Sequence, residues 1–157
     1  MSTNITMNTP TDGLQIKMTA RATFDATGGK VAGAYDLGVN IPANAIIVRT
    51  YYDVLTTFQS AADTAIISLT ISSTGTIGTA LAINNGTNPW DAGFHEGVQT
   101  GTVANFLKTT AERAILATFA VQNLTAGKLV VFVDRANVDE TVVLLKRLQN
   151  VSVPSVK

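Results

Sequence analysis

Apolar and polar residues alternate with a period of two near the start of the chain. Leu14, Ile16, Met18, Ala20, Ala22 and Phe24 are separated by Gln15, Lys17, Thr19, Arg21 and Thr23. In an extended chain successive side chains point to opposite faces, so this alternation places one face on a core and the other in solvent. The pattern predicts a β-strand, and Gly28 and Gly29 end it because paired glycines mark a turn.

Strand-like runs recur along the rest of the chain, and turn residues end each of them. They cover residues 32–37, 45–58, 64–71, 76–83, 111–122 and 128–134. Gly38 is expected to stop the first run, and the Asn-Asn-Gly sequence at 84–86 is a strong turn signal because these residues tolerate positive φ. Residues 125–127 are expected to join the last two runs as a pair.

About eight short antiparallel strands with turns between them predict an all-β fold, either a β-sandwich or a jelly roll. The alternation within the runs predicts which side chains lie inside: Phe24, Val54, Phe119 and Val131. In the run 45–58, one face is expected to hold Val48, Tyr52, Val54 and Phe58.

Two segments also carry a helical pattern. Residues 109–120 contain good helix formers such as Ala111 and Glu112, but the β-branched residues and the regular alternation favour a strand. Residues 139–149 place four aliphatic side chains where they would share one helical face. A helix therefore stays open as an alternative for 139–149.

The pattern divides the chain into three parts. Residues 1–12 predict a flexible N-terminal arm, residues 13–137 the sandwich domain, and residues 138–157 a C-terminal extension. Within the domain, residues 84–101 form the longest stretch without a strand pattern and hold the single Trp and the single His. We expect this stretch to be an ordered surface loop.

Charged residues are scarce in this chain. They make up 14% of it, the formal net charge is zero, and the mean hydropathy is +0.25. About a quarter of an ordinary soluble domain is charged, and a free monomer usually keeps its net charge away from zero. Because obligate interfaces are depleted in charge, we expect the chain to associate with itself.

The composition also argues against several classes of partner. A nucleic-acid surface needs clustered Lys and Arg, and the densest basic spot is the pair Lys146 and Arg147. No run of about 20 apolar residues occurs, so no membrane-spanning helix is expected. Cysteine is absent, which excludes disulfides and thiolate metal sites.

The residues that carry chemistry are few and scattered. His95 has Asp91 and Glu96 nearby, but their spacing matches no catalytic triad or metal motif, and an ordinary hydrogen-bonded histidine is the simpler interpretation. The acidic residues within 134–140 lack the Gly-containing loop of a calcium site. We therefore expect no enzymatic activity, no metal and no cofactor.

Four phrases in the central part of the chain are distinctive: YDLGVNIP at 35–42, AIIVRTYY at 45–52, NGTNPWD at 85–91 and LTAGKL at 124–129. They resemble small virion proteins of tailed bacteriophages, most of all capsid decoration (cement) proteins. The resemblance covers roughly residues 30 to 135. It implies a β-sandwich or jelly roll that trimerises on the surface of the icosahedral capsid and bridges subunits of the major capsid protein.

Six apolar residues are candidates for contact with a partner: Ile5, Met7, Trp90, Phe94, Val151 and Val153. Those in the terminal segments offer extended anchors that could add a strand to the edge of a neighbouring sheet. Trp90 and Phe94, together with Tyr51 and Tyr52, could instead form a platform for sugar rings, which would fit a phage tail or fibre-tip module that binds a host glycan. A third interpretation places Trp90 at the edge of the core.

Overall fold

The computed structural model describes residues 14–98 and 107–138, and every regular element in these ranges is a β-strand. The strands are β1 (Leu14–Asp25), β2 (Gly33–Ile41), β3 (Ala45–Ser60), β4 (Ile66–Ile71), β5 (Gly75–Ala82), β6 (Gly93–Glu96), β7 (Leu107–Lys108), β8 (Arg113–Ala120) and β9 (Leu124–Val138). More and less exposed side chains alternate along β2, β4 and β8. This alternation is typical of strands with one face on a core.

The strands form two antiparallel sheets. Sheet A has the order β1-β9-β3-β6, with β7 paired to another part of β3, and sheet B has the order β2-β8-β4-β5. With the short β7 set aside, the partners are nested in chain order: β1 with β9, β2 with β8, β3 with β6, and β4 with β5. Nested pairing of this kind across two sheets is the jelly roll. The predicted fold class is confirmed.

The core lies between the two sheets and takes side chains from both. The four residues predicted to lie inside are all buried, which confirms that prediction. Phe119 of sheet B meets Phe24 of sheet A with ring centroids 4.5 Å apart, and Phe58 lies 6.2 Å from both rings. Complete burial of a side chain of this size stabilises the fold by about 1.5–3 kcal/mol, so these rings contribute strongly to holding the sheets together.

The helical alternative for residues 109–120 is wrong. Arg113–Ala120 form β8, in which Ile115, Ala117 and Phe119 are buried and the residues between them are more exposed. A helix would bury positions three or four apart, whereas this period of two needs an extended chain. The tertiary pairing of β8 with β2 and β4 outweighs the helix propensity of its alanines.

Val48 does not share the buried face of β3 that the sequence predicts. Its side chain is 49% exposed, whereas the other three residues expected on that face are buried. The register between β3 and β9 shifts between Ile47 and Arg49. Such a bulge adds one residue to the strand and reverses the alternation beyond it, which turns Val48 outward.

Gly38 does not end its strand. It lies within β2 at φ 72°, and the pairing of β2 with β8 shifts register between Asp36 and Asn40. The backbone amide of Gly38 donates a 2.8 Å hydrogen bond to the Asp36 carboxylate. A glycine at positive φ therefore marks a bulge here rather than a stop.

The turn predicted at residues 125–127 is also wrong. These residues belong to β9, and the connection from β8 runs through residues 121–123, with Val121 at φ 76°. β8 and β9 lie in different sheets, so they are not a hairpin pair. Gly127 is needed because a Cβ there would overlap the ring of Phe58.

The stretch 84–101 is described as far as residue 98 and contains a strand that the sequence pattern does not predict. β6 pairs with residues 51–54 of β3 at the edge of sheet A.

The described fold begins at Leu14 and ends at Val138. The proposed N-terminal arm, nearly all of the C-terminal extension and the possible helix at 139–149 therefore lie outside the described residues. Within the described ranges, no helix is long and apolar enough to cross a membrane.

Candidate interaction surfaces

An aromatic strip runs across the outer face of sheet A. It consists of Phe94 on β6, Tyr51 on β3 and Phe132 on β9. The ring of Tyr51 is stacked on that of Phe132 at 4.9 Å between centroids and lies 5.4 Å from that of Phe94. Phe94 is 60% exposed, so the strip ends in a large apolar side chain that is open to solvent.

Strand register produces this strip. Tyr51 lies directly opposite Phe132 on one side and opposite Glu96 on the other. Phe94 lies opposite Asp53, the next outward position along β3. Directly paired and diagonal side chains on one face of a sheet are close enough to touch, so three aromatic residues from distant parts of the sequence form one row.

Charged groups surround the aromatic strip. The Arg49 guanidinium lies 5.1 Å from the centre of the Tyr51 ring and 3.1 Å from the Glu96 carboxylate. Both members of this ion pair are exposed, so it contributes little to stability, but it holds the guanidinium over the ring. Tyrosine, phenylalanine and arginine are enriched at protein interfaces, and this outer face of sheet A offers all three.

A second ion pair lies further along the same face, where Lys128 Nζ is 3.0 Å from Asp25. Asp25 also accepts a 2.8 Å hydrogen bond from the backbone amide of Thr27. Hydrogen bonds from Thr27, followed by the contact with Lys128, hold the pKa of Asp25 well below its usual range. This carboxylate therefore stays ionised under acidic conditions that would neutralise an ordinary aspartate.

Trp90 is completely buried, so the prediction that its side chain contacts a partner is corrected. Its indole nitrogen donates a 2.9 Å hydrogen bond to the carbonyl oxygen of Leu81, and its ring stacks on Tyr52 at 5.4 Å. Burial also raises the pKa of Tyr52 to about 12. Trp90 fills the core, as one of the three interpretations of the sequence proposed.

The four aromatic residues considered for a sugar platform do not form one surface. Trp90 and Tyr52 are buried on the inner side of sheet A, whereas Tyr51 and Phe94 lie on its outer side. The face of the Tyr51 ring is turned toward Phe132 at an interplanar angle of 13°. Stacking on a sugar needs a free ring face, and this ring is already stacked on another.

His95 is held as an ordinary hydrogen-bonded histidine. Its Nε2 lies 2.9 Å from the carbonyl oxygen of Asp91, and since a carbonyl only accepts, that nitrogen carries the proton. The imidazole stacks on the ring of Tyr52 at 5.2 Å.

Asp134, one of the acidic residues considered for a metal, accepts a 2.6 Å hydrogen bond from Thr19 Oγ1. No group of three or more potential metal ligands occurs within residues 14–98 and 107–138.

The outer face of sheet B differs sharply from that of sheet A, and we call it the low-charge face. It comprises Ala34, Asp36, Ile66, Ser68, Thr70, Thr76, Ala82, Ala114, Leu116, Thr118 and Ala120. Cross-strand register places these residues in rows, for example Asp36 beside Leu116 and Leu116 beside Thr70. Among these positions Asp36 carries the one formal charge, and most side chains are small.

The other predicted contact residues fall into two groups. Phe94 is exposed in the aromatic strip, and its contact with a partner stays a prediction. Ile5, Met7, Val151 and Val153 lie outside the described residues. The sequence pattern missed the pairing of Tyr51 with Phe132, although the absence of charge from residue 64 to residue 90 was a visible sign of the low-charge face.

Comparison with known proteins finds likeness at the level of fold. No family model matches the sequence, and no curated protein sequence matches it. Over 78% of its length the chain is similar to 88% of a chain in the acid-stable capsid structure of Helicobacter pylori bacteriophage KHP30, with a TM-score of 0.55 and 18% identity.

Two further solved structures match in the same way. In the capsid of Ralstonia phage GP4, the match covers 78% of this chain and 85% of that one, with a TM-score of 0.56 and 14% identity. In the capsid asymmetric unit of cyanophage Pam1, it covers 77% and 84%, with a TM-score of 0.56 and 15% identity. This chain therefore has a fold that is found in three phage capsid structures.

Proposed function

We propose that this chain is a structural protein of a tailed-phage virion and that it acts there as a decoration protein, bridging subunits of the major capsid protein. The observation that carries the proposal is the jelly roll shared with chains in three phage capsid structures over more than three quarters of this sequence. The sequence phrases that resemble decoration proteins support it independently.

The proposed mechanism is mass action. A protein that binds the assembled shell, and not its dissociated subunits, shifts the equilibrium toward the shell. At a free concentration 100-fold above the dissociation constant, each site would stabilise the shell by about 2.7 kcal/mol. Such a role needs contact surface rather than a catalytic group, and the aromatic strip provides contact surface.

Contact with the shell is assigned in this proposal to Phe94 and to the terminal segments that hold Ile5, Met7, Val151 and Val153. Phe94 is a large apolar side chain that stays 60% exposed in the protomer, beside the Arg49–Glu96 ion pair. Exposed aromatic residues with charged neighbours are frequent energetic centres of interfaces. Burial of Phe94 on the shell would remove this apolar surface from water.

Copy number in the virion tests the location. We expect cryo-electron microscopy of the virion, or quantitative gel analysis of its proteins, to give hundreds of copies arranged on the head. A few to a few dozen copies, located at the tail, would contradict the decoration role and favour the module that binds a host glycan.

A binding assay tests the contact. Purified heads that lack the protein are incubated with the wild type, Phe94→Ala or Val121→Ala, and bound protein is measured after sedimentation. Val121 is a matched control because it is also apolar and exposed, at 68%, but lies in the β8–β9 turn away from the strip. We expect Phe94→Ala to weaken binding at least tenfold and Val121→Ala to bind normally; equal binding by both variants would remove Phe94 from the contact.

A further inference from the structure

The low-charge face of sheet B consists of cross-strand rows of small, apolar or hydroxyl side chains with one carboxylate. A row across it runs from Asp36 through Leu116 to Thr70, and the neighbouring row holds Ala34, Thr118 and Ser68. The outer face of sheet A, in contrast, carries solvent-accessible charges on each of its three long strands, for example Arg21 on β1, Arg49 on β3 and Lys128 on β9. The charges of the described residues are therefore distributed unequally between the two outer faces.

The chemistry of the low-charge face limits what could cover it. A partner with a charged surface would lose hydration there and would find almost no opposite charge in return. Most of its side chains are small, so the surface offers mainly the broad face of the sheet, with its one charge, Asp36, on the edge strand β2. A broad surface with so little charge is matched best by another of the same kind.

The size of the face is sufficient for a stable contact. Four strands spaced at about 4.8 Å are roughly 19 Å wide, and at about 3.3 Å per residue the eight residues of β8 extend over roughly 26 Å. Each copy therefore offers roughly 500 Å², so two faces bury roughly 1,000 Å², the lower limit for a specific interface. The net charge of zero means that two copies do not repel each other at long range.

We propose that the low-charge face of sheet B is the surface through which copies of this chain associate, and that its occupant is a second copy of the same chain. The inference rests on the self-association expected from the scarcity of charge, and it does not depend on where the protein is located in the virion. It separates two surfaces by role: sheet B for other copies, and the aromatic strip of sheet A for the shell.

The test measures mass in solution for the full chain at micromolar concentration, by light scattering after size-exclusion chromatography. Leu116→Asp places a carboxylate at the centre of the low-charge face, and Thr118→Lys is a second variant that adds the opposite charge on the same strand. Val48→Asp is the matched control, because Val48 is an exposed aliphatic residue on the bulge of sheet A. Circular dichroism and thermal melting verify that each variant is folded.

We expect the wild type and Val48→Asp to be oligomers, and Leu116→Asp and Thr118→Lys to shift to the monomer mass of 16.5 kDa. Folded Leu116→Asp and Thr118→Lys with wild-type mass, or a wild type that is itself monomeric, would overturn the inference. If both variants stay oligomeric but no longer bind heads, the face belongs to the shell and the inference is equally wrong. An oligomeric wild type that does not bind heads would instead contradict the proposed function alone.

Discussion

Leu14, the first residue of β1, lies opposite Val138, the last residue of β9, in the antiparallel register of sheet A. The two residues from which the adjoining segments continue, Leu14 and Val138, are therefore side by side at one end of the sandwich. Two weak attachments that start at one point can reach the same target, so that binding of one raises the effective concentration of the other. This arrangement is well suited to joint attachment of the two segments.

Deletion of residues 1–12 and 150–157 is expected to leave the fold intact and to reduce occupancy on heads that lack the native protein. The physical reason is loss of avidity, since each segment alone loses conformational entropy on binding and so binds weakly. Occupancy is measured by sedimentation, and circular dichroism provides the control for folding. Wild-type occupancy by the doubly trimmed protein would show that the ends have no role in attachment.

Phe119→Ala is expected to lower the free energy of unfolding by about 3–5 kcal/mol, the usual cost of truncating a buried phenylalanine. Phe119 is 1% exposed and lies against Phe24 and Tyr35. Urea denaturation measures the change. Val31→Ala, at an apolar residue that is 66% exposed, is the control and should change stability by less than about 0.5 kcal/mol. An unchanged midpoint for Phe119→Ala would mean that the strand register is wrong.

Gly127→Ala and Gly28→Ala separate backbone strain from overlap of atoms. Both glycines have positive φ, but an added Cβ at Gly28 would have no atom within 4 Å, whereas at Gly127 it would overlap the ring of Phe58. We expect Gly28→Ala to cost about 1–2 kcal/mol from strain, and Gly127→Ala to cost about 1–3 kcal/mol more from overpacking. Equal melting temperatures for the two variants would contradict this difference.

Asp25→Asn is expected to reduce stability at neutral pH and to have progressively less effect in acid. The folded-state pKa of Asp25 lies below its unfolded value of about 3.9. Its ionised form therefore stabilises the fold above about pH 4, and this contribution is lost as the pH falls toward the folded-state pKa. Thermal melts of the wild type and Asp25→Asn from pH 7 to pH 2 give the measurement. A difference in melting temperature that stays constant over this range would rule out ionisation of Asp25 as the cause.

Local alternation was sufficient to predict the fold class and much of the core. Residues such as Phe24, Phe119 and Val131 lie in stretches of regular register, where a period of two leads directly to a buried face. Val48 could not be placed in this way, because a bulge depends on the pairing of β3 with β9 and leaves no mark in β3 alone. Gly127 was predicted to lie in a turn because the reason for a glycine within the strand is not visible locally. That reason is the ring of Phe58, which is distant in sequence and leaves no space for a Cβ.

The surfaces were harder to predict than the core. Phe94 and Tyr51 were recognised as candidates, but Phe132 joins them only through cross-strand register, which no local pattern contains. Trp90 was ambiguous because a large aromatic residue in a loop-like stretch fits both a core and a contact. The hydrogen bond that fixes its indole inside goes to the backbone of Leu81, which the sequence does not indicate.

The nested pairing also determines when the protein can fold during its synthesis. Thr19 on β1 and Asp134 on β9 are hydrogen-bonded partners 115 positions apart, and β9 lies between β1 and β3 in sheet A. Until the ribosome has released β9, both of its neighbours present unpaired backbone groups, which invite pairing with other chains. Distant pairing of this kind folds slowly. Sheet A is therefore completed only after β9 has left the ribosome, and a nascent chain stopped before residue 124 would lack the strand that joins its two halves.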